Sequence, residues 1–422
     1  MDSIHIQGGV ALRGKVRIQG SKNAALPILA ATLLTKETSH LQNCPRIADV
    51  YCMIRLLRSL GVCVRWEENG VRVNAKSLQT DELVLGNMPT EAVRSMRSSL
   101  CLLGALLGRV GAVTMEYPGG CVIGERPIDI HIAALKQMGV VFAEADGMLT
   151  ASAQTLHGAD ITLPFPSVGA TENVILTAVM AEGTTILRGA AREPEVVALC
   201  EYLEQCGARI EGAGGQTIQI EGTGQLYGTH YQIPPDRIVA GTYLFGAVGA
   251  GGSVLLERAP IQQMEAVLEL AKQMGAQCDL TTEGLYVQME TRPQAVPLLC
   301  TAPYPGFPTD LQSPALTVLT CAEGDSVIEE NIFENRFRVV EPLRSLGAQI
   351  ELLDRHRVAV HGVERLHGTV MEAKELRGGA ALLLAGLVAD GESIITGCSY
   401  IYRGYENICK DLRELGARIT SV

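Results

Sequence analysis

Aromatic rings are nearly missing from this sequence: Phe, Trp and Tyr make up 4% of 422 residues, with a single Trp. A core so poor in rings has to be aliphatic, and the 47% apolar content supplies it. Positive charge is also in deficit, with 35 Lys and Arg against 46 Asp and Glu and a net charge of −11. The resulting negative field repels nucleic acid and anionic lipid, so neither is expected as a partner, and any phosphate has to be held by cations gathered locally. Long apolar runs are lacking, since "ALLLAGLVA" (Ala381 to Ala389) stops far short of the roughly 20 residues that cross a bilayer. The 12 Cys contain no CxxC pair and the first residues do not read as a signal peptide, which leads to the expectation of a reduced, cytoplasmic protein. The 8 His fall in no ligand or triad spacing, so no metal or other cofactor is expected and a serine-hydrolase reading is excluded. Glycine is abundant by contrast, with 45 residues, which suits an α/β protein with many tight turns, and the length calls for two domains or three.

One short phrase recurs six times: "SLGVCV", "QMGVVF", "QCGARI", "QMGAQC", "SLGAQI" and "ELGARI". Its glycines, Gly61, Gly139, Gly207, Gly275, Gly347 and Gly416, are spaced by 78, 68, 68, 72 and 69 residues. Each phrase follows an amphipathic run and precedes alternation, the pattern of a helix, a glycine C-cap and a strand. About 22 to 28 residues upstream of each glycine stands a turn followed by a strand signal, as in "AEGTTILRG" or "ADGESIITG". Ahead of each of those lies a helix apolar nearly all round, such as "KNAALPILAATLL" or "EAVRSMRSSLCLLGALLG". Such helices belong inside, with sheets covering them. Six units then make two domains of three, with a boundary near "QIPPDR" (Gln232 to Arg237).

A helix N-terminus attracts anions, so the polar residues at the six entrances are candidates for chemistry. They are Ser21, Lys22 and Asn23; Arg94 and Arg97; Ser167, Val168 and Gly169; Asp236 and Arg237; Thr309 and Asp310; and Arg377. Four of the six carry a cation, the local excess that an acidic protein needs for holding phosphates. For Lys22 the alternative is a solvated charge, which the helix dipole disfavours by about 0.3 to 1 kcal/mol. "YPGGCVIGERP" (Tyr117 to Pro127) reads as a glycine-rich lid in which Cys121 titrates low beside Arg126, whereas Cys63, Cys101, Cys206 and Cys321 sit in apolar contexts and are assigned to packing. "APYPGFPTD" (Ala302 to Asp310) is a rigid approach to an Asp that serves either as an N-cap or as a general base. "GVALRGKV" (Gly9 to Val16) has phosphate-loop spacing but ends in Val where Ser or Thr is required, and is expected to be a hairpin. "GTGQLYG" (Gly222 to Gly228) is expected to be a turn.

Taken in order, "GSKNAALPILAA", "MRSSLCLLG", "PGGCVIGERPID", "PSVGATEN", "AAREPE", "PDRIVAGT", "FPTDLQ", "ENRF" and "RGYE" resemble the enolpyruvyl transferases over essentially the whole chain. The "PGGCxIGxRP" loop is similar to that of the branch acting on UDP-N-acetylglucosamine and is lacking in the branch acting on shikimate 3-phosphate. The resemblance implies two inside-out α/β barrel domains, each of three repeated units with buried helices surrounded by sheets. Domain I would span 22–234 and carry the Cys121 lid, domain II would comprise 1–21 and 235–422 with Asp310 and Arg403, and the active site would lie in the cleft between them. It implies enolpyruvyl transfer from phosphoenolpyruvate to the sugar 3-hydroxyl, opening peptidoglycan precursor synthesis. Phosphoenolpyruvate would be held by Lys22, Arg126 and Arg403, with Arg97 and Arg377 nearby. The amino sugar would meet Asn23, Thr309 and Asp310, with Ile332 also against substrate. The nucleotide would lie along Arg126, Pro127, Ile128, Asp129 and Ile130, with its phosphates at Ser167, Val168 and Gly169. Asp310 would act as base, and Cys121 at the lid. Two positions depart from the family's pattern: Val239 stands where relatives usually carry Glu, and Tyr402 where many carry Asp, which puts the support of Arg237 and Arg403 in doubt. Those departures motivate a second reading, a non-catalytic relative that still binds the nucleotide sugar.

Overall fold

The computed structural model describes residues 3–79, 88–117 and 127–422. They form a mixed α/β chain that separates into two compact units, one built from 3–19 and 235–422, the other from the described residues of 20–234.

The recurring glycines are helix stops. At Gly61, Gly139, Gly207, Gly275, Gly347 and Gly416 the backbone turns left-handed, with φ between +83° and +99°. In every case the glycine N–H donates to the carbonyl three residues back and the next N–H to the carbonyl five back, at 2.9 to 3.3 Å. That pair of bonds satisfies the last carbonyls of a helix, and an L side chain at the turning residue would be strained. The helices so ended, Ala48–Ser59, Asp129–Lys136, Pro194–Gln205, Glu265–Gln273, Val340–Ser345 and Ile408–Glu414, bury one face each.

The apolar helices are interior, as their all-round pattern requires. Lys22–Ala31, Cys101–Val110 and Val168–Ala178 lie in one unit; Arg237–Ala250, Gln312–Leu319 and Leu376–Val388 lie in the other. Most residues of each are buried, and small residues let them approach closely: a Cβ at Gly104 would come 2.5 Å from the Asn173 carbonyl oxygen. The "EAVRSMRSSLCLLGALLG" run is not one helix. Met96 is extended (φ −137°, ψ 115°), so a short helix Thr90–Ser95 is followed by a 3₁₀ turn, Arg97–Leu100, before the buried helix starts.

Among the described residues each unit has three sheets. In the 20–234 unit the strand orders are 230–232, 38–42, 70–74, 63–67; then 112–116, 148–152, 141–145; then 209–211, 217–221, 184–188, 160–162. In the other they are 277–280, 284–289, 252–257, 12–17; then 298–300, 325–329, 357–361, 349–352; then 370–372, 392–396, 3–7, 418–421. Residues 9–16 are therefore not a hairpin. Strand Ser3–Gln7 pairs antiparallel with Glu392–Thr396, while Leu12–Arg17 runs parallel to Gly252–Glu257 in a different sheet. The turn between them packs against the end of the Leu376–Val388 helix, where a Cβ at Gly8 would lie 2.1 Å from the Ala389 carbonyl oxygen. No described helix is long and apolar enough to cross a membrane, and no described group of three or more His, Cys, Asp or Glu suits a metal ion.

Candidate active site

Lys22 opens its helix just after Ser21, whose hydroxyl caps the helix by accepting from the Ala24 N–H. It is not a solvated charge: the residue is 8% exposed and its Nζ lies 2.7 Å from the Asp49 carboxylate, on the first turn of Ala48–Ser59. Breaking a buried pair of this kind costs about 3 to 5 kcal/mol because it strands a charge. Asn23 beside it is half-buried. Pro27, inside the same helix, cannot donate to the Asn23 carbonyl four residues back, which leaves that oxygen without its regular helical donor.

Among the other candidates of this unit, Arg97 donates weakly to the Pro127 carbonyl at 3.4 Å. Arg94 is turned outward onto Glu116 at 2.6 Å, because the break at Met96 removes it from the buried helix's entrance. Ile128 is buried, whereas Asp129 and Ile130, starting the 129–136 helix, are exposed and half-buried. Ser167 caps Val168–Ala178 through a bond from the Ala170 N–H, and Ser167, Val168 and Gly169 are half-buried. Gly169 is backed by the His131 ring, since a Cβ there would come 2.9 Å from His131 Cε1. Cys121 and Arg126 lie outside the described residues.

In the second unit the entrances converge. Asp310 lies inside the 3₁₀ turn Thr309–Leu311, and each of its carboxylate oxygens accepts from a guanidinium: Oδ1 from Arg336 Nη2 and Oδ2 from Arg377 Nη2, both at 2.9 Å. The two arginines have side chains only 2% and 4% exposed, whereas that of Asp310 is 27% exposed. Its carboxylate is thus oriented by two buried guanidiniums while its side chain is partly exposed. Burial alone would lower the Arg377 pKa, but the Asp310, Tyr405 and Asp236 charges outweigh it and the guanidinium is held more basic than usual. Arg336 also donates from Nε and Nη2 to the Thr309 carbonyl, at 3.2 Å each. The Thr309 hydroxyl donates to Glu330. Ile332, half-buried, follows Glu330 and donates its N–H to that carboxylate.

Around them the helix starts are capped by acids. Asp236 accepts from the Ile238 and Val239 N–H groups, and Glu375 from those of Arg377 and Gly378. Arg237 is 8% exposed with its guanidinium 5.6 Å from the Tyr304 ring centre. Arg403 ends the Cys398–Arg403 turn, half-buried, and the backbone just after it is pinned by Gln19, which donates to the Gly404 carbonyl at 3.1 Å and accepts from the Glu406 N–H at 2.8 Å. The side chain of Val239 lies in the aliphatic core, and Tyr402 packs against that core with its hydroxyl toward Cys409. Burial pushes the Tyr402 phenol up to about 12. These two positions are accommodated as packing.

The cysteine assignments need one correction. Cys101, Cys206 and Cys321 are buried, and burial raises each thiol, that of Cys206 to about 11. Cys63 is exposed, because it occupies an outward position of the alternating strand Cys63–Glu67. Sequence reasoning also missed four residues. Arg336 stands within the "ENRF" motif but drew no role from it; Asp49, Glu330 and Gln19 had no signal beyond being polar residues in apolar surroundings.

Over nearly its whole length the chain is similar to known proteins. The model of the family described as EPSP synthase (3-phosphoshikimate 1-carboxyvinyltransferase) matches residues 6–412. UDP-N-acetylglucosamine 1-carboxyvinyltransferase 2 of Caldanaerobacter subterraneus subsp. tengcongensis is 43% identical over 424 residues, covering 100% of both chains. The UDP-N-acetylglucosamine 1-carboxyvinyltransferase of Methylacidiphilum infernorum is 44% identical over 425 residues, covering 100% of this chain and 99% of its own. Among solved structures, the enolpyruvyl transferase NikO from Streptomyces tendae superposes with a TM-score of 0.88 at 26% identity, over 99% of this chain and 98% of its own.

Proposed function

The chain belongs to the enolpyruvyl transferase family, and from that premise we propose that it moves the enolpyruvyl group of phosphoenolpyruvate onto the 3-hydroxyl of UDP-N-acetylglucosamine, with release of phosphate. This is the committed step into peptidoglycan precursors. The choice of acceptor rests on one observation: relatives aligned over the full length at 43% and 44% identity carry the nucleotide-sugar name. Each unit is read as an inside-out α/β barrel of three repeats. Three apolar helices and three sheets per unit support that reading.

The chemistry asks for a base at the sugar hydroxyl and cations around a carboxylate and a phosphate. Protonation of phosphoenolpyruvate at C3 lets the sugar oxygen bond to C2, and the hydroxyl proton passes to a base. Loss of a C3 proton and of phosphate from the tetrahedral adduct then restores the double bond. Asp310 is assigned as the base: two buried guanidiniums orient its carboxylate, and its side chain is partly exposed. Lys22 and Arg403, with Arg97 and Arg377, are assigned to the anions of phosphoenolpyruvate, since an ammonium offers a compact positive charge and a guanidinium binds carboxylate or phosphate bidentately. Arg126 joins them, and Cys121 acts at the lid, by resemblance. Asn23, Thr309 and Ile332 are assigned to the amino sugar. Pro127, Ile128, Asp129 and Ile130 are assigned to the nucleotide, and Ser167, Val168 and Gly169 to its phosphates.

The test is phosphate release from phosphoenolpyruvate with UDP-N-acetylglucosamine and with shikimate 3-phosphate as parallel acceptors. Release is expected with the first alone. Release with the second, or with neither, overturns the proposal.

A further inference from the structure

We propose that Glu330 is a positioning residue for the reaction, a buried brace that sets where Thr309 and Asp310 stand. The inference rests on the assignment of Asp310 as base.

Glu330 is 0% exposed, and all three contacts of its carboxylate are donors. Oε2 accepts from the Thr309 hydroxyl at 2.9 Å; Oε1 accepts from the N–H groups of Ile332 and Phe333 at 2.8 and 3.2 Å. A carboxyl group buried there without those donors would cost several kcal/mol. Its backbone is clamped as well. The Glu330 N–H donates to the His356 carbonyl at 2.7 Å, and the Glu330 carbonyl lies 2.9 Å from His356 Nδ1. On either side of it, Glu329 and Asn331 are tied to Thr301 by three bonds: the Thr301 N–H donates to the Glu329 carbonyl, the Asn331 N–H to the Thr301 hydroxyl and the Asn331 side-chain amide to the Thr301 carbonyl.

The brace closes a loop of bonds. Glu330 holds the Thr309 hydroxyl, Arg336 holds the Thr309 carbonyl and Asp310, and Glu330 also fixes the start of the 332–336 segment that delivers Arg336. Segments 309–310 and 330–336 thus share one register, fixed by Glu330 at one end and Arg336 at the other. An error of 1 Å in a positioned base costs up to about 10²-fold in rate. Glu330 touches no reacting atom in this scheme and acts through Thr309.

Two readouts on Glu330→Gln test this, with Thr309→Val and Thr309→Ser as companions. Amide hydrogen exchange at 309–311 and 332–333 should speed up at least tenfold in Glu330→Gln, while the Arg237–Ala250 helix stays as protected as in the parent. In kinetics, kcat should fall about 10- to 100-fold with the KM for phosphoenolpyruvate within twofold. Thr309→Val should reproduce that loss and Thr309→Ser should restore most of it. Unchanged exchange in Glu330→Gln overturns the brace whatever the activity. So does faster exchange accompanied by kcat within twofold of the parent. A parent protein that releases no phosphate, with exchange responding as expected, overturns the activity reading while the brace stands.

Discussion

Among single residues, the proposed mechanism leans most on Asp310, the carboxylate assigned as base. Asp310→Asn keeps the shape and one acceptor oxygen but cannot take a proton. Its kcat should drop by 10²- to 10⁴-fold while nucleotide-sugar binding, read by calorimetry, changes by less than tenfold. A rate near that of the parent would demote Asp310 to a structural acid. Glu172 is a second residue with a measurable signature. Burial raises its pKa, contact with Cys101 opposes the rise, and the Glu195 and Glu193 charges add to it, giving about 8. The unfolded chain loses that proton near 4.5, so between about 4.5 and 8 the folded state holds a proton that the unfolded state has lost. Its stabilising contribution is full below that window and falls as pH rises through it. Glu172→Gln should flatten the decline of stability over this window, measured by urea unfolding at several pH values, and an unaltered slope would contradict the assignment. At this scale the sequence showed Lys22, Asp310 and Arg377 because cations and acids at the starts of apolar helices stand out. Asp49 and Glu330 stayed hidden, since what marks them is burial against a partner far along the chain.

The elements were more legible than their connections. A glycine after an amphipathic run needs only local chemistry to be read as a helix stop, and all six adopt that conformation. Gly275 isolates the effect: its φ is +98° and a Cβ would meet only Met289 Cε, at an ordinary 3.7 Å. Gly275→Ala should therefore cost about 1 to 2 kcal/mol from backbone strain alone, and Gly275→Asn less. The check is the urea midpoint at constant m; no shift for Ala would refute the strain argument. The break at Met96 and the parting of strands 3–7 and 12–17 into different sheets were not legible. For the strands, the partners that settle the matter, Gly252–Glu257 and Glu392–Thr396, lie hundreds of residues away.

For the whole molecule, the near-regular spacing of six glycines announced repeated units, and aliphatic helices without a polar face announced interior helices. The N-terminal segment reads from sequence as local, yet it completes two sheets whose other strands lie in the second half of the chain. Because the net charge is −11, binding of an anionic substrate depends on local cations, so removing one should be felt strongly. Arg377→Met should raise the KM for phosphoenolpyruvate at least tenfold and also slow turnover, because it releases Asp310; kinetics within twofold of the parent would exclude it from the site. The most direct measurement is the mass of the nucleotide sugar after incubation with phosphoenolpyruvate and the protein. The account predicts that UDP-N-acetylglucosamine grows by the mass of one enolpyruvyl group less the hydroxyl hydrogen it replaces, as one phosphate appears for each product formed. An unchanged nucleotide sugar, with or without consumption of phosphoenolpyruvate, would contradict it.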